Sequence, residues 1–345
     1  MDPWLKGVAC CRPVRETHRI YISAVISDGR RMYPQVDPYD QGMLDVGDGH
    51  HVYWMACGNP DGKPALYVHG GPGSGCGARS AGQFDPAVYR VISFDQRNCG
   101  RSTPHASEPG IDLSTNTTDH LIRDMEQLRE HLGIDKWLLF GVSWGSVLSL
   151  TYALRHPERV SEMIVTAVAT GRHCEVEWLI RGFGGLAPEA YQRFLSGVPD
   201  PGEDISAAYH RLLMDPDPAV HRKAADDWCA WEDAIATVPP GRDVEHEPWE
   251  PRFQLAFARL VTHYFSNRCW LADDELARKG HVLKDIPGVI VHGQLDLGAL
   301  TGKPWVLHHA CQGSELVIVE QGTHATGTAE AVTAAADRFA KSPVS

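Results

Sequence analysis

The chain is 345 residues long and carries 32 Lys and Arg against 44 Asp and Glu, a formal charge of −12. Such a surface repels phosphate backbones and anionic headgroups, so nucleic acid and membrane surfaces are not expected partners. Hydrophobic residues at 43% and charged residues at 22% are the proportions of a folded globular chain, which excludes wholesale disorder. The length allows two domains, or one large domain with an insertion.

Residues 1–36 have mixed composition and no period, and read as an irregular leader. Their start lacks the apolar core of a secretion signal. The nine cysteines are irregularly spaced with no CxxC pair, so neither a zinc knuckle nor a thioredoxin-type motif is expected, and the cysteines read as reduced. No apolar run reaches the ~18 residues of a membrane span. The expected location is the cytoplasm.

From Met43 to Gly58 the pattern reads as two short strands joined by the Gly47-Asp48-Gly49 turn. Short apolar runs follow at Pro64–His69, Arg90–Phe94, Lys136–Phe140, Val289–His292 and Glu315–Val319. Runs of this kind suit parallel strands buried on both faces. Between them, Thr118–Leu132 places Leu121, Ile122, Met125, Leu128 and Leu132 on one helical stripe, with Gly133 just beyond it. A second helix is predicted from just after Ser143 to about His156, before Pro157. Alternating strands and helices define an α/β, mostly parallel, doubly wound sheet. Residues 171–280 break the rhythm. They are helical in pattern, punctuated by Pro199-Asp-Pro-Gly202, Asp215-Pro-Asp-Pro218 and Pro239-Pro-Gly241. The expected organisation is a leader (1–36), a first core segment (37–170), an inserted helical cap (171–280) and a second core segment (281–345).

The chemistry is concentrated in Gly141-Val142-Ser143-Trp144-Gly145, a G-x-S-x-G placed after a predicted strand and before a predicted helix. That context is what a nucleophile elbow requires: a sharp turn that lifts the serine hydroxyl clear of the sheet at the positive end of a helix. A serine needs a base, and the base an orienting carboxylate, in the chain order Ser, Asp, His for this architecture. Asp296 follows the fourth run and His324 the fifth, both at carboxyl ends of predicted strands. His308 and His309 are rivals, but Val306–Ala310 reads as helix interior. The loop His69-Gly70-Gly71-Pro72-Gly73 follows the first run. Its glycines let backbone N–H groups approach a developing oxyanion, with the Trp144 N–H as second donor. His69 is expected to shape this loop. Neither GxxxxGK[ST] nor GxGxxG with an acidic partner is present, which argues against a nucleotide site.

Taken with Asp95-Gln-Arg-Asn-Cys-Gly-Arg-Ser102, Asn116-Thr-Thr118 and His156-Pro-Glu-Arg-Val160, these motifs resemble the proline iminopeptidase (prolyl aminopeptidase) family of α/β-hydrolases, over about Pro38 to Phe339. The resemblance implies an α/β-hydrolase fold with a helical cap, and cleavage of an N-terminal residue without metal or cofactor. It assigns Ser143 as nucleophile, Asp296 as orienting acid and His324 as general base. Gly71 and Trp144 become oxyanion donors, with Gly70 nearby. It also implies a small or short-peptide substrate with a free amino group, held by cap carboxylates. One belongs to Trp228-Cys-Ala-Trp231-Glu232, making Trp231 and Glu232 candidate substrate contacts.

The second family carboxylate falls in Ala258-Arg-Leu-Val-Thr-His-Tyr-Phe265, where Val261 replaces the glutamate. Other departures are Val142 and Asn98 for glycines, Gln294-Leu295 for Arg-Tyr, and Gly322-Thr for Ala-Gly before His324. Restoring a glutamate at Val261 is expected to raise prolyl preference. The alternatives are an esterase, amidase or acyltransferase acting on a non-peptide intermediate, and a non-catalytic protein that uses the cap pocket for binding.

Overall fold

The computed structural model describes residues 20–23, 32–200, 202–236, 249–300 and 302–341. Among them, nine strands form one sheet in the order β1-β9-β8-β7-β6-β4-β5-β3-β2. The predicted hairpin is β2 (Asp40–Gly47) and β3 (His50–Gly58), antiparallel at one edge. The apolar runs become β4 (Lys63–Val68), β5 (Tyr89–Phe94), β6 (Trp137–Val142), β8 (Gly288–Gly293) and β9 (Ser314–Val319). Apart from the β2–β3 and β3–β5 pairings, neighbours are parallel.

The double burial of the parallel strands is visible along β6. Leu139 packs into the cluster that holds α1 (Thr118–His131) and α2 (Trp144–Arg155), while Leu138 and Phe140 face the cluster that holds α10 (Ala329–Ala340). A strand covered on both faces has no polar side to display, hence the unbroken apolar run.

Two strands are not predicted from the sequence. The strand β7 (Val160–Thr166) lies between β6 and β8, and its Ser161 and Glu162 interrupt the apolar pattern. Glu162 is nevertheless buried, because the Lys63 ammonium pairs with it from the far side of β6; Lys63 also donates to the Phe339 carbonyl at 2.8 Å. A charge inside the sheet is tolerable when it is paired and hydrogen-bonded. The second is β1 (Ile20–Ser23), within the stretch read as an irregular leader, which pairs in parallel with β9. The rest of residues 1–31 lies outside the described residues, as do the Pro239-Pro-Gly241 linker and Pro201.

Between β7 and β8 the chain forms α3 (His173–Ile180), α4 (Pro188–Ser196), α5 (Ile205–Leu213), α6 (Pro218–Ala236), α7 (Pro251–Ser266) and α8 (Glu275–Lys279). Helices α3–α7 share an apolar cluster of their own, with Trp228, Trp231, Tyr209 and Phe194 near its centre. Helix α7 ties this cluster to the segment between β5 and α1. Its buried Arg259 donates to the carbonyls of Ala106 and Glu108, and Tyr264 Oη donates to Asn116 Oδ1 at 2.6 Å. The last helix before β9 is α9 (Gly302–Ala310), which contains His308 and His309 as predicted. No helix among the described residues is long and apolar enough to cross a membrane.

Candidate active site

The turn between β6 and α2 holds Ser143 at φ 56°, ψ −120°, a left-handed conformation that a side chain adopts only under constraint. The constraints are local. Ser143 N–H donates to the Thr166 carbonyl at 3.0 Å, and the Ser146 hydroxyl donates to the Ser143 carbonyl at 2.6 Å. The flanking glycines allow the approach: a Cβ on Gly145 would lie 2.0 Å from the Val68 carbonyl oxygen, and one on Gly141 would lie 2.3 Å from that of Gly145. The sequence therefore folds into a sharp turn here because only glycine fits on either side.

His324 Nε2 stands 3.0 Å from Ser143 Oγ, and His324 Nδ1 stands 2.8 Å from Asp296 Oδ2. The three residues named from sequence are thus brought together in one chain of hydrogen bonds. The loops after β8 and β9 are mutually bonded, which fixes that geometry. Gln294 N–H donates to the Val319 carbonyl and Leu295 N–H to the Gly322 carbonyl. Gly293 and Gly322 pack closely: a Cβ on Gly293 would lie 2.4 Å from the Gly322 carbonyl carbon, and one on Gly322 would lie 2.9 Å from Gly293 Cα, which explains glycine at both positions. Asp296 is buried, and its Oδ1 accepts from the Ala299 N–H at 2.9 Å. Burial raises its proton affinity, but the His324 charge and hydrogen bond outweigh this and hold the carboxyl below its usual range. For His324, burial acts against the imidazolium and Asp296 acts for it, with a net rise above the ordinary value.

The glycine loop lies against the serine. A Cβ on Gly70 would be 3.1 Å from Ser143 Cβ, and Gly71, at φ 110°, lines the cavity that contains Ser143 and Trp144. The Trp144 N–H, at the first position of α2, has no acceptor within its own helix. His69 braces this loop. Its Nε2 accepts from Gln96 N–H at 3.1 Å, so Nδ1 carries the proton and donates to the Gly70 carbonyl at 2.8 Å. Gln96 also donates to the His69 carbonyl and accepts from Trp144 Nε1. The rest of the Asp95–Ser102 motif is scaffold. Asp95 accepts from Cys76 N–H and from Arg101, and buried Arg97 grips Asp124 through two bonds. Asn98, in place of glycine, sits at φ 65°, where Asn is tolerated, and its side chain bonds to Asn116 and Pro104.

Glu232 lines the same cavity as Ser143 and His324. Its Oε1 accepts from Trp228 Nε1 at 3.2 Å, one helical turn earlier on α6, and no cation pairs with it among the described residues. Burial pushes its carboxyl up to about 7. The tryptophan that touches Glu232 is thus Trp228. Trp231 is buried in the helical cluster, donates to the Leu179 carbonyl at 3.2 Å and lines neither cavity that reaches Ser143. Val261 is likewise 1% exposed in that cluster and lines neither cavity. A glutamate there would bury a carboxylate among apolar side chains, so Val261→Glu is expected to cost at least about 2 kcal/mol of stability. A buried acid has a raised folded-state proton affinity, so the penalty grows as pH rises. Thermal unfolding should therefore show a larger loss at pH 8 than at pH 5; equal midpoints for variant and wild type would contradict this placement.

Sequence reasoning missed two charged residues of this cavity, Glu175 and Lys303. Glu175 sits at the third position of α3 and reaches back to the Thr170 N–H at 2.8 Å and to the Thr170 hydroxyl. Its spacing from the helix start was the available signal. Lys303 had none, since it enters the site only through the way α9 begins.

A nine-stranded, mostly parallel sheet with a strained serine turn and a Ser-His-Asp arrangement at its strand ends defines an α/β-hydrolase-fold serine hydrolase. The sequence profile of the α/β hydrolase fold family matches residues 63–326. A probable proline iminopeptidase of Streptomyces coelicolor is 52% identical over 318 residues, 90% of this chain and 98% of the relative. The proline iminopeptidase of Xylella fastidiosa is 42% identical, over 86% of this chain and 94% of the relative. The chain belongs to the proline iminopeptidase family of α/β-hydrolases. Among solved structures, that of proline iminopeptidase from Mycobacterium smegmatis shares the fold at TM-score 0.57 and 20% identity, covering 87% of this chain and 97% of that one.

Proposed function

We propose that the protein is an aminopeptidase that removes an N-terminal prolyl or other aminoacyl residue from small peptides. Ser143 is the nucleophile, His324 the general base, Asp296 its orienting acid and Glu232 the receptor for the substrate ammonium. The observation that carries this reading is Glu232 itself: a half-buried carboxylate with one indole partner and no paired cation among the described residues, in the wall of the cavity that holds Ser143 and His324. A carboxylate so placed is costly unless a cation arrives to pair with it.

The chemistry follows from the geometry. Ser143 Oγ attacks the scissile carbonyl carbon as its proton passes to His324 Nε2. The oxygen that becomes negative is met by the Gly71 and Trp144 N–H groups, held by the His69–Gln96–Trp144 bracing. The C–N bond then breaks, and His324 returns the proton to the leaving amine. Water enters, gives its proton to His324 and attacks the acyl-serine; release of the amino acid restores the Ser143 hydroxyl. Asp296 keeps the imidazole in the tautomer with Nδ1 protonated and offsets its transient charge.

Helices α3–α7 act as a cap that roofs this site, carrying Glu232 on α6. The reaction is assigned to the cytoplasm, which the seven unpaired cysteines among the described residues support. A panel of prolyl arylamide, alanyl arylamide and short-chain aryl ester tests the reaction class. Preferential turnover of the aminoacyl arylamides is expected. Ester turnover alone would point to an esterase or acyltransferase instead.

A further inference from the structure

A second cavity, about 520 Å³, adjoins the one around Ser143 and shares Glu175 and Lys303 in its walls. The other charged side chains that line it are occupied. Arg172 pairs with Asp274, His173 and Arg181 flank Glu177, Asp273 accepts from the His173 N–H, and Thr170 holds Glu175. Lys303 has no ion pair or side-chain hydrogen bond among the described residues. It is half-buried, in the first turn of α9, where a cation opposes the helix's own positive end. Its helix therefore gives no reason for a lysine there. Its charge is felt at His324, against whose protonated form it acts.

Outside the Ser-His-Asp arrangement, Glu175 and Asp273 are held by backbone N–H groups, so the walls of the joined cavities leave two charges that have neither an ionic partner nor a backbone bond among the described residues: Glu232, which accepts from the Trp228 indole, and Lys303. Glu232 also lines a third cavity reaching Ser143, beside Phe257, while Lys303 belongs to the second, so the acid and the base lie toward different ends of the space around the serine. An acidic end and a basic end flanking a nucleophile are complementary to a zwitterion. We infer that Lys303 receives the C-terminal carboxylate of a di- or tripeptide whose N-terminal ammonium lies on Glu232. Lys303 is then the residue that selects free short peptides over longer or C-terminally blocked ones. This rests on the aminopeptidase reading, since it places the leaving amine's chain in the second cavity.

The test compares kcat/KM for prolyl-leucine and prolyl-leucinamide, with prolyl arylamide alongside, in wild type, Lys303→Met and Lys303→Glu. The wild type is expected to favour the free acid over the amide about tenfold, as one charge-assisted bond allows. The ratio should fall to about one in Lys303→Met and invert in Lys303→Glu. A wild-type ratio near one, or a ratio that Lys303→Met leaves unchanged, would overturn the inference while an active prolyl arylamide left the aminopeptidase reading standing. An inert prolyl arylamide would overturn that reading, and this inference with it.

Discussion

Replacing Ser143 by Ala is expected to lower kcat on a prolyl arylamide by about 10⁴- to 10⁶-fold, leaving only what the oxyanion donors and binding supply. The alanine keeps the backbone and the flanking contacts, so the protein should remain folded. Ser143→Gly should be equally inactive, but more stable than Ser143→Ala. The turn holds residue 143 at φ 56°, and glycine adopts that conformation freely where alanine does not. Relief of such strain is worth about 1–3 kcal/mol. Inactivity together with a higher unfolding midpoint for the glycine variant is the signature of a nucleophile held in a strained turn. Activity within tenfold of wild type in either variant would remove Ser143 from its assigned role.

Glu232→Gln is expected to lower kcat/KM for a free prolyl amide by roughly 30- to 1000-fold, corresponding to about 2–4 kcal/mol for one partner of a desolvated pair. The amide can still accept from Trp228, so the cap should hold its shape. The pH profile gives a second readout. Burial lifts the Glu232 carboxyl to about 7, so it is neutral below that pH and able to pair with an ammonium above it. His324, raised above its ordinary value by Asp296, must lose its proton before it can act as a base. Both effects make kcat/KM rise with pH through the neutral range. It should fall again where the substrate amine, at about 8, loses its proton. In Glu232→Gln the rising limb should lose one of its two contributions, and in Asp296→Asn the His324 limb should move to lower pH. A profile unchanged by Glu232→Gln would show that this carboxylate does not titrate with the reaction.

Much of the site was readable because its residues occupy short loops at strand ends, where position in sequence nearly fixes position in space. Ser143 between Gly141 and Gly145 is one case, and Asp296 and His324, each a few residues past β8 and β9, are others. The sheet was less readable where burial depends on distant partners. Ser161 and Glu162 hide β7 from a reading by apolar runs, because nothing nearby announces Lys63, 99 residues away. The leader strand β1 has only four residues and gains its place from β9, so its own pattern carries little signal. Within the cap the motif located Glu232, but the helical period decides its neighbour: Trp228 is one turn away and reaches it, whereas Trp231 is adjacent in sequence and faces elsewhere. Val261 looked like a lost half of the amine site, yet its side chain belongs to the packing of the helical cluster. Lys303 could not be singled out among the lysines and arginines until α9 was placed beside the second cavity.

A serine hydrolase site joined to the half-buried Glu232 carboxylate should select a free amino terminus. The most direct test is the ratio of kcat/KM for prolyl arylamide to that for N-acetylprolyl arylamide, measured at pH 7.5 in the wild-type protein. Acetylation removes the charge that Glu232 is proposed to receive and leaves the scissile bond intact. The ratio is predicted to exceed about 30, the lower bound for losing a desolvated ion pair. Equal turnover of the two compounds would contradict the account, leaving Ser143, His324 and Asp296 in an acyl hydrolase that takes no notice of the amine.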